Sequence, residues 1–398
     1  MSYAHRNPAR FAWLLVLAMV AVLAVAGCGS SDDDSSSSSD EVTSIGKTEG
    51  ALNLIAWAGY AEDGSTDKTV DWVTPFEKQT QCQVNTKTAS TSDEMVKLMR
   101  TGQYDGVSAS GDASVRLIEG GDVSPVDMSI LSNYADINPS LKDQDYNSKD
   151  GQNYGMPHGW GANVLLYNKD AVSPAPDSWG SVFDPAQASK FSGKITAPDN
   201  PIYIADAAVY LEATQPDLGI TDPYELDEDQ FNAAVDLLKQ QNKFVGEYWP
   251  DATKNISSYT NGDSVIGSSW QYQTSALQAA GENVDADLPK EGSTGWSDTW
   301  MLSSQAEHPN CMLEWMNWMG SPKVQAQVAE WFGEAPANLG ACDLTSDPKH
   351  CDTYHAKDEK YYDQIAFWKT PISDCGDDRG SECKTYDEWV QAWTEIKG

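Results

Sequence analysis

The chain has 398 residues, with 26 Lys and Arg against 60 Asp and Glu, a formal net charge of −34. That length holds two or three domains, and a field of that sign repels nucleic acid and anionic membranes while attracting cations. Such acidity also serves solubility, so the aromatic balance is more pointed: 15 Trp and 17 Tyr against 8 Phe, residues whose flat faces and polar handles suit amine-like or sugar-like ligands.

Arg6 and Arg10 open the chain, and an uncharged apolar run follows from Phe11 to Ala26. The run is short for a membrane span and ends in small residues, as an export signal over 1–27 does. Val25-Ala26-Gly27-Cys28 resembles the bacterial lipobox. The resemblance implies cleavage before Cys28, acylation of that residue, and an extracytoplasmic protein tied to the bacterial membrane, at the cell surface or in the periplasm, only by its lipid. Residues 28–48, rich in Ser and Asp, read as a flexible hydrated tether. Six further cysteines, Cys82, Cys311, Cys342, Cys351, Cys375 and Cys383, suit an oxidising compartment, with their pairing left open. Cys342 with Cys351 and Cys375 with Cys383 are the economical local pairs, which leaves Cys82 for Cys311. No pair has Cys-x-x-Cys spacing and only His350 and His355 lie nearby, so no metal site is expected.

Ala51 to Trp57 alternates as a first strand, ending in the turn Trp57-Ala58-Gly59-Tyr60. Val70 to Gln79 has helical spacing, Cys82 to Thr86 reads as a second strand, and a helix opens at Ser92-Asp93-Glu94. Tyr104 to Gly111 is a third strand with small residues at its end, and Val115 to Gly120 is helical. This alternation predicts an α/β fold on a parallel sheet. Ligands of such sheets bind beyond the carboxyl ends of the strands, where Trp57, Tyr60, Ser110 and Asp112 fall. Further helices are expected over 202–211, 231–241, 309–319, 322–332 and 386–396, and a strand over 264–270 ends in Trp270.

The most informative stretch is Gly295-Trp296-Ser297-Asp298-Thr299-Trp300, leading into Met301-Leu302. On a strand, the side chains of Trp296, Asp298 and Trp300 share one face. A carboxylate between two indoles suits a desolvated organic cation, because ring faces attract the charge and the acid pairs with it. The structural reading is a buried strand whose Asp caps a loop. Even then an acid inside an aromatic strand needs a partner.

Several motifs, taken in order, resemble the spermidine/putrescine-binding proteins of bacterial ABC importers. They are Trp57-x-x-Tyr60, Tyr104-Asp105-Gly106-Val107-Ser108-Ala109-Ser110, and Met156-Pro157-His158-Gly159-Trp160-Gly161 leading into Val164-Leu165-Leu166-Tyr167-Asn168. Pro176-Asp177-Ser178-Trp179, Trp270 and Trp296-Ser297-Asp298 complete the set. The resemblance implies a two-lobed periplasmic-binding-protein fold with crossing hinge strands and an interlobe cleft. One lobe would be built from 49–163 and 290–345, the other from 164–289, with a disulfide-bearing C-terminal tail over 346–398. It implies aromatic walls at Trp57, Tyr60, Trp270 and Trp296, an amine-gripping acid at Asp298, a polar contact at Ser110 and an acid of the second lobe at Asp199. Asp112 stands where such binders place an aromatic, and Ile202 where they often place a second acid. The implied function is capture of a polyamine or related cationic amine for separate ABC permease subunits, with no cofactor and no catalysis.

Rival readings are a sugar-binding lipoprotein, a secreted hydrolase using paired carboxylates, and a ferric-ion binder. Sugar platforms would carry Arg, which is absent near the proposed walls; a ferric site would cluster Tyr and His; and no Gly-x-Ser-x-Gly elbow has a plausible triad. His158 lies near the cleft entrance with packing as its expected role, while His308, His350 and His355 read as surface residues.

Overall fold

A computed structural model describes residues 40–398; the signal segment and Cys28 lie outside the described residues. Apolar strands alternate with amphipathic helices from the start: β1 (Ala51–Ala56), α1 (Val73–Thr80), β2 (Gln83–Thr88), α2 (Ser92–Met99), β3 (Gly106–Ser110) and α3 (Gly111–Glu119). A hairpin of β4 (Ser148–Lys149) and β5 (Gln152–Asn153) leads to the long strand β6 (Gly155–Asn168). Then come α4 (Gly180–Phe183), α5 (Pro185–Ala188), β7 (Ile195–Pro198), α6 (Tyr203–Thr214), α7 (Glu228–Gln241), β8 (Val245–Trp249), α8 (Ala252–Thr260), β9 (Ile266–Trp270), α9 (Gln271–Ala279) and β10 (Val284–Asp287). The chain closes with β11 (Ser293–Leu302), α10 (Pro309–Met319), α11 (Pro322–Phe332), β12 (Ala335–Pro336), α12 (His350–Thr353), α13 (Glu359–Tyr362), β13 (Ile365–Phe367) and α14 (Tyr386–Lys397).

Parallel strands need crossovers, and helices supply them on both sides of the sheet. The sheet order is β2-β1-β3-β11-β6-β9-β7-β8, with β10 and β12 beside β6 and β13 beside β11. β6 joins two half-sheets: its residues up to Ala162 pair with β11, and those from Asn163 pair with β9. β11 lies between β3 and β6, and all ten of its residues are buried. The α/β fold with crossing strands is therefore present as expected. Trp72, Phe76, Trp300, Trp315 and Met316 anchor the first half's core. Trp179, Phe183, Tyr203, Phe231, Trp389 and Trp393 anchor the second.

Local rules place the helix ends. Thr91 accepts the Glu94 amide at 3.1 Å to start α2, and Asp227 forms a capping box with Gln230 at α7. α3 begins four residues before the expected helix over 115–120. Its small residues fit a crowded place: a Cβ on Gly111 would lie 1.6 Å from the Trp368 carbonyl oxygen. α1 starts at Val73 rather than Val70, after the backbone pairs Trp72 and Val73 with the Glu62 carbonyl.

Two segments are more structural than their composition suggests. Val42, in the expected tether, exchanges backbone hydrogen bonds with the strip at 125–127, and Glu49 accepts from the amides of Asn310 and Cys311. The C-terminal segment adds β13 to β11 and buries Trp389, Trp393 and Ile396 of α14 in the second core. The disulfides are Cys82–Cys311, Cys342–Cys351 and Cys375–Cys383, the economical pairing. Cys82–Cys311 spans 229 residues and ties the approach to β2 to α10. Replacing both by Ser lowers unfolding free energy by about 2–5 kcal/mol in urea titration, because the unfolded chain regains the freedom the bridge removed.

Candidate functional site

The site grows from the ends of β1, β3 and β9, the interiors of β6 and β11, and the end of α11. β1 runs into the turn at 57–60, where the Tyr60 amide donates to the Trp57 carbonyl at 3.2 Å. Gly59 sits at φ +95° and a Cβ there would touch the Phe332 ring at 3.4 Å, so the turn requires glycine. On β11, Asp298 pairs in register with Ser110 of β3, whose hydroxyl donates to Asp298 Oδ1. β6 carries a bulge: Asp298 pairs with Gly159 and Thr299 with Pro157, leaving His158 as the extra residue. Bulges re-aim side chains, and this one drives His158 against Tyr60, ring centroids 4.3 Å apart, and Trp300, 5.8 Å.

α11 ends at Phe332, and Gly333 takes φ +83° as a left-handed cap. The chain then turns Glu334 inward before β12 pairs with β6. Gly159 and Gly161 form the cradle for this arrangement. A Cβ on Gly159 would lie 2.2 Å from the Glu334 carboxyl carbon, and one on Gly161 2.8 Å from the Trp296 ring.

At the centre, Tyr60 Oη lies 2.7 Å from Asp298 Oδ2 and 2.7 Å from Glu334 Oε2. A phenol supplies one donor. The second of these hydrogen bonds therefore needs a proton on one of the two carboxyls. Burial, the largest influence, pushes Asp298 up to about 6, against the pull of the Ser110 and Tyr60 hydroxyls. Burial likewise raises Glu334 well above the usual carboxylate range, opposed by Tyr60 and aided by the Asp298 charge. His158 Nε2 lies 3.6 Å from Glu334, yet burial lowers its pKa to about 3, so it is neutral and neutralises nothing. Among the described residues, no lysine or arginine pairs with Asp298 or Glu334. The result is an anionic, dry cluster without a counter-charge.

Aromatic rings extend from it in a chain. Tyr60 meets Phe332 at 4.3 Å, Phe332 meets Trp296 at 6.0 Å, Trp296 meets Trp270 at 6.2 Å, and Trp270 meets Trp249 at 5.0 Å. Trp300, on the same face of β11 as Trp296 and Asp298, lies 6.3 Å from Tyr60. The chain runs from the first half to the second, and Asp298 at its floor is 2% exposed.

Tyr60, Ser110, Trp270, Trp296 and Asp298 thus come together. Trp57 belongs to the turn but packs, half-buried, beside the first-half cores, with its backbone N–H on Ser108 Oγ. Asp112 stands beside the cluster without a hydrogen bond to it, in the first turn of α3 rather than in a strand-end loop. Its carboxylate accepts from Ser92 at 2.9 Å, and Thr370 of the C-terminal segment covers its backbone carbonyl. Buried there, it is pushed up to about 6, and its charge helps raise Asp298. Asp199 ends β7 and is taken by the chain itself: Trp393 Nε1 donates to it at 3.0 Å and the Lys397 ammonium pairs with it. His350 is a correction to the surface expectation. It is buried, with Nε2 2.8 Å from the Glu334 carbonyl, because α12 folds back under the Gly333–Glu334 turn. His308 is also partly buried and pairs with Asp105 at 2.9 Å. Glu334 and Phe332 were not singled out from sequence. Their one signal is Phe332-Gly333-Glu334, an acid behind a helix-ending glycine and ahead of the apolar Ala335-Pro336-Ala337.

A model of the bacterial extracellular solute-binding proteins matches residues 71–353. The chain is 28% identical over 313 residues to the spermidine/putrescine-binding periplasmic protein of Escherichia coli (strain K12), covering 75% of this chain and 84% of that one. It is 27% identical over 307 residues to a putrescine/cadaverine-binding protein of Pseudomonas aeruginosa, covering 73% and 80%. Its fold matches that of the spermidine/putrescine ABC transporter substrate-binding protein PotD of Streptococcus pneumoniae, with a TM-score of 0.67 at 18% identity over 87% of this chain and 97% of that one. With the two half-sheets and their crossing strands, these matches place the chain in the bacterial extracellular solute-binding protein family.

Proposed function

We propose that the protein captures a polyamine or related cationic amine outside the cytoplasm and delivers it to the permease subunits of an ABC importer, held at the membrane by a lipid on Cys28. The observation that carries this reading is the buried pair Asp298 and Glu334, bridged by Tyr60, walled by aromatic rings and lacking a cationic partner among the described residues. Two carboxyls in so dry a place are costly unless charge-paired, and an ammonium group satisfies both while its methylenes lie on Phe332, Trp296 and Trp270. Each ring contact with a desolvated cation contributes about 0.5–2 kcal/mol. A few of them with one charge pair reach the roughly 8 kcal/mol of micromolar binding. β6 and β11, the strands that pass between the halves, are where opening and closing would hinge. The relatives' names, which specify spermidine, putrescine and cadaverine, agree with this chemistry.

Calorimetric titration with putrescine, spermidine, choline and maltose tests the reading. Heat with at least one amine and none with maltose is expected. Heat with maltose alone returns the site to the sugar-binding alternative. The hydrolase alternative is disfavoured because a tyrosine hydroxyl already bridges the two acids.

A further inference from the structure

Asp206 of α6 is 1% exposed and takes no part in the Tyr60 cluster. It lies where β6 leaves one half-sheet for the other. Asn163 Nδ2 donates to its Oδ1 at 3.1 Å, and Thr294 Oγ1 donates to its Oδ2 at 2.9 Å. The same Asn163 Nδ2 lies 2.7 Å from Thr294 Oγ1. From the far side of that carboxamide, Asn163 Oδ1 accepts the Trp270 indole N–H at 3.0 Å. Asn163 and Trp270 are register partners across β6 and β9, so the indole lies directly over the amide.

The chemistry allows one arrangement. An indole nitrogen only donates, and the Asp206 carboxyl, which burial raises to about 7, only accepts in its ionised form. Asn163 must therefore turn its oxygen to Trp270 and its NH₂ to Asp206. A flipped amide would set donor against donor at Trp270 and acceptor against acceptor at Asp206. The indole held this way meets Trp249 at an interplanar angle of 87° and Trp296 at 71°.

We propose that Asp206 is a positioning residue for ligand capture: through Asn163 it locks the plane of the Trp270 indole, so that this wall is set before the ligand arrives. The proposal rests on Trp270 being a wall of the amine slot. It adds to that reading a residue that never touches the ligand, at the crossing of β6 and β11.

A double-mutant cycle decides it. Asp206→Asn leaves one oxygen and one NH₂ where two acceptors stood, so the Asn163 NH₂ and the Thr294 hydroxyl no longer both find an acceptor and the hold on the Asn163 amide weakens. Its putrescine affinity, measured by calorimetry, falls about tenfold in the unaltered background and less than about twofold in Trp270→Phe. Equal losses in both backgrounds, or no loss in the first, overturn the proposal. If Asp206→Asn folds poorly, Thr294→Val removes one support of the same carboxylate and enters the same cycle. A ligand-free readout runs alongside. The near-ultraviolet dichroism that Trp270→Phe removes is expected to be largely lost already in Asp206→Asn, and its persistence there also overturns the proposal. A protein giving no heat with any amine defeats the functional reading instead, while the spectra still decide the role of Asp206.

Discussion

Asp298→Asn weakens amine binding by at least about 2 kcal/mol, and up to about 5 kcal/mol if the acid makes the principal charge pair. The substitution keeps the shape of the side chain and removes its charge. Tyr60 can then give its single O–H to Glu334 and accept from the new amide NH₂, while Ser110 goes on donating to the amide oxygen. The fold therefore loses little; removing a buried acid that lacks a cationic partner leaves the melting temperature of the free protein unchanged or higher. Binding loses most, because the incoming ammonium leaves water for a slot where one of two acids is gone. Glu334→Gln has the same sign by the same reasoning. Calorimetric dissociation constants for both variants check this, and an unchanged affinity in Asp298→Asn moves the site away from β11.

The second large effect is that of pH. With its pKa at about 6 in the free protein, Asp298 holds a proton over much of the mildly acid range. Glu334 is raised well above its ordinary value. The geometry requires the same result, since one phenol proton serves two carboxyls at 2.7 Å. A bound ammonium favours the ionised acids and lowers their pKa, so the complex holds fewer protons than the free protein. Affinity therefore rises with pH through about 6. For one displaced proton it grows about tenfold between pH 5 and pH 7, and more steeply if Glu334 also releases its proton. Calorimetry in two buffers of different ionisation enthalpy should show proton release on binding near pH 6; an affinity flat from pH 5 to 8 excludes the shared proton. The other groups facing the cluster are His158, neutral with a pKa of about 3, and Asp112, at about 6, whose charge adds to the same trend. The free protein's stability moves the other way. The folded pKa of Asp298 lies above its ordinary 3.8, so its contribution is fully present below about 4 and is lost as pH rises through 6. Thermal stabilisation by the ligand should accordingly grow over that same interval.

Much of the site was legible from residues close in sequence. Trp296, Asp298 and Trp300 share a face because a strand repeats every two residues. Ser110 ends β3 and Tyr60 lies in the turn after the parallel β1, while Trp270 ends β9, which belongs to the other half-sheet and runs the opposite way. Glu334 was hidden because its role depends on an αL glycine turning the chain after α11 and on Gly159 of β6 leaving room for its carboxyl. Asp199 looked available because nothing near it in sequence carries the charge that takes it; Lys397 comes from the far end of the chain. Asp112 read as a strand-end residue, yet α3 begins one residue before it and a distant segment covers it.

By itself, then, the sequence determined the α/β architecture and the aromatic face around Asp298, since periodicity, caps and turn residues act over a few positions; the two halves and their crossing strands were implied by the family resemblance, and the disulfide pairing was left open. Only the tertiary structure decided which acids are free for a ligand and which are already spoken for. Pairing of buried charges depends on long-range contacts between β11, the end of α11 and the C-terminal helix, and a buried carboxyl's charge state is set by whatever those contacts bring within hydrogen-bond distance.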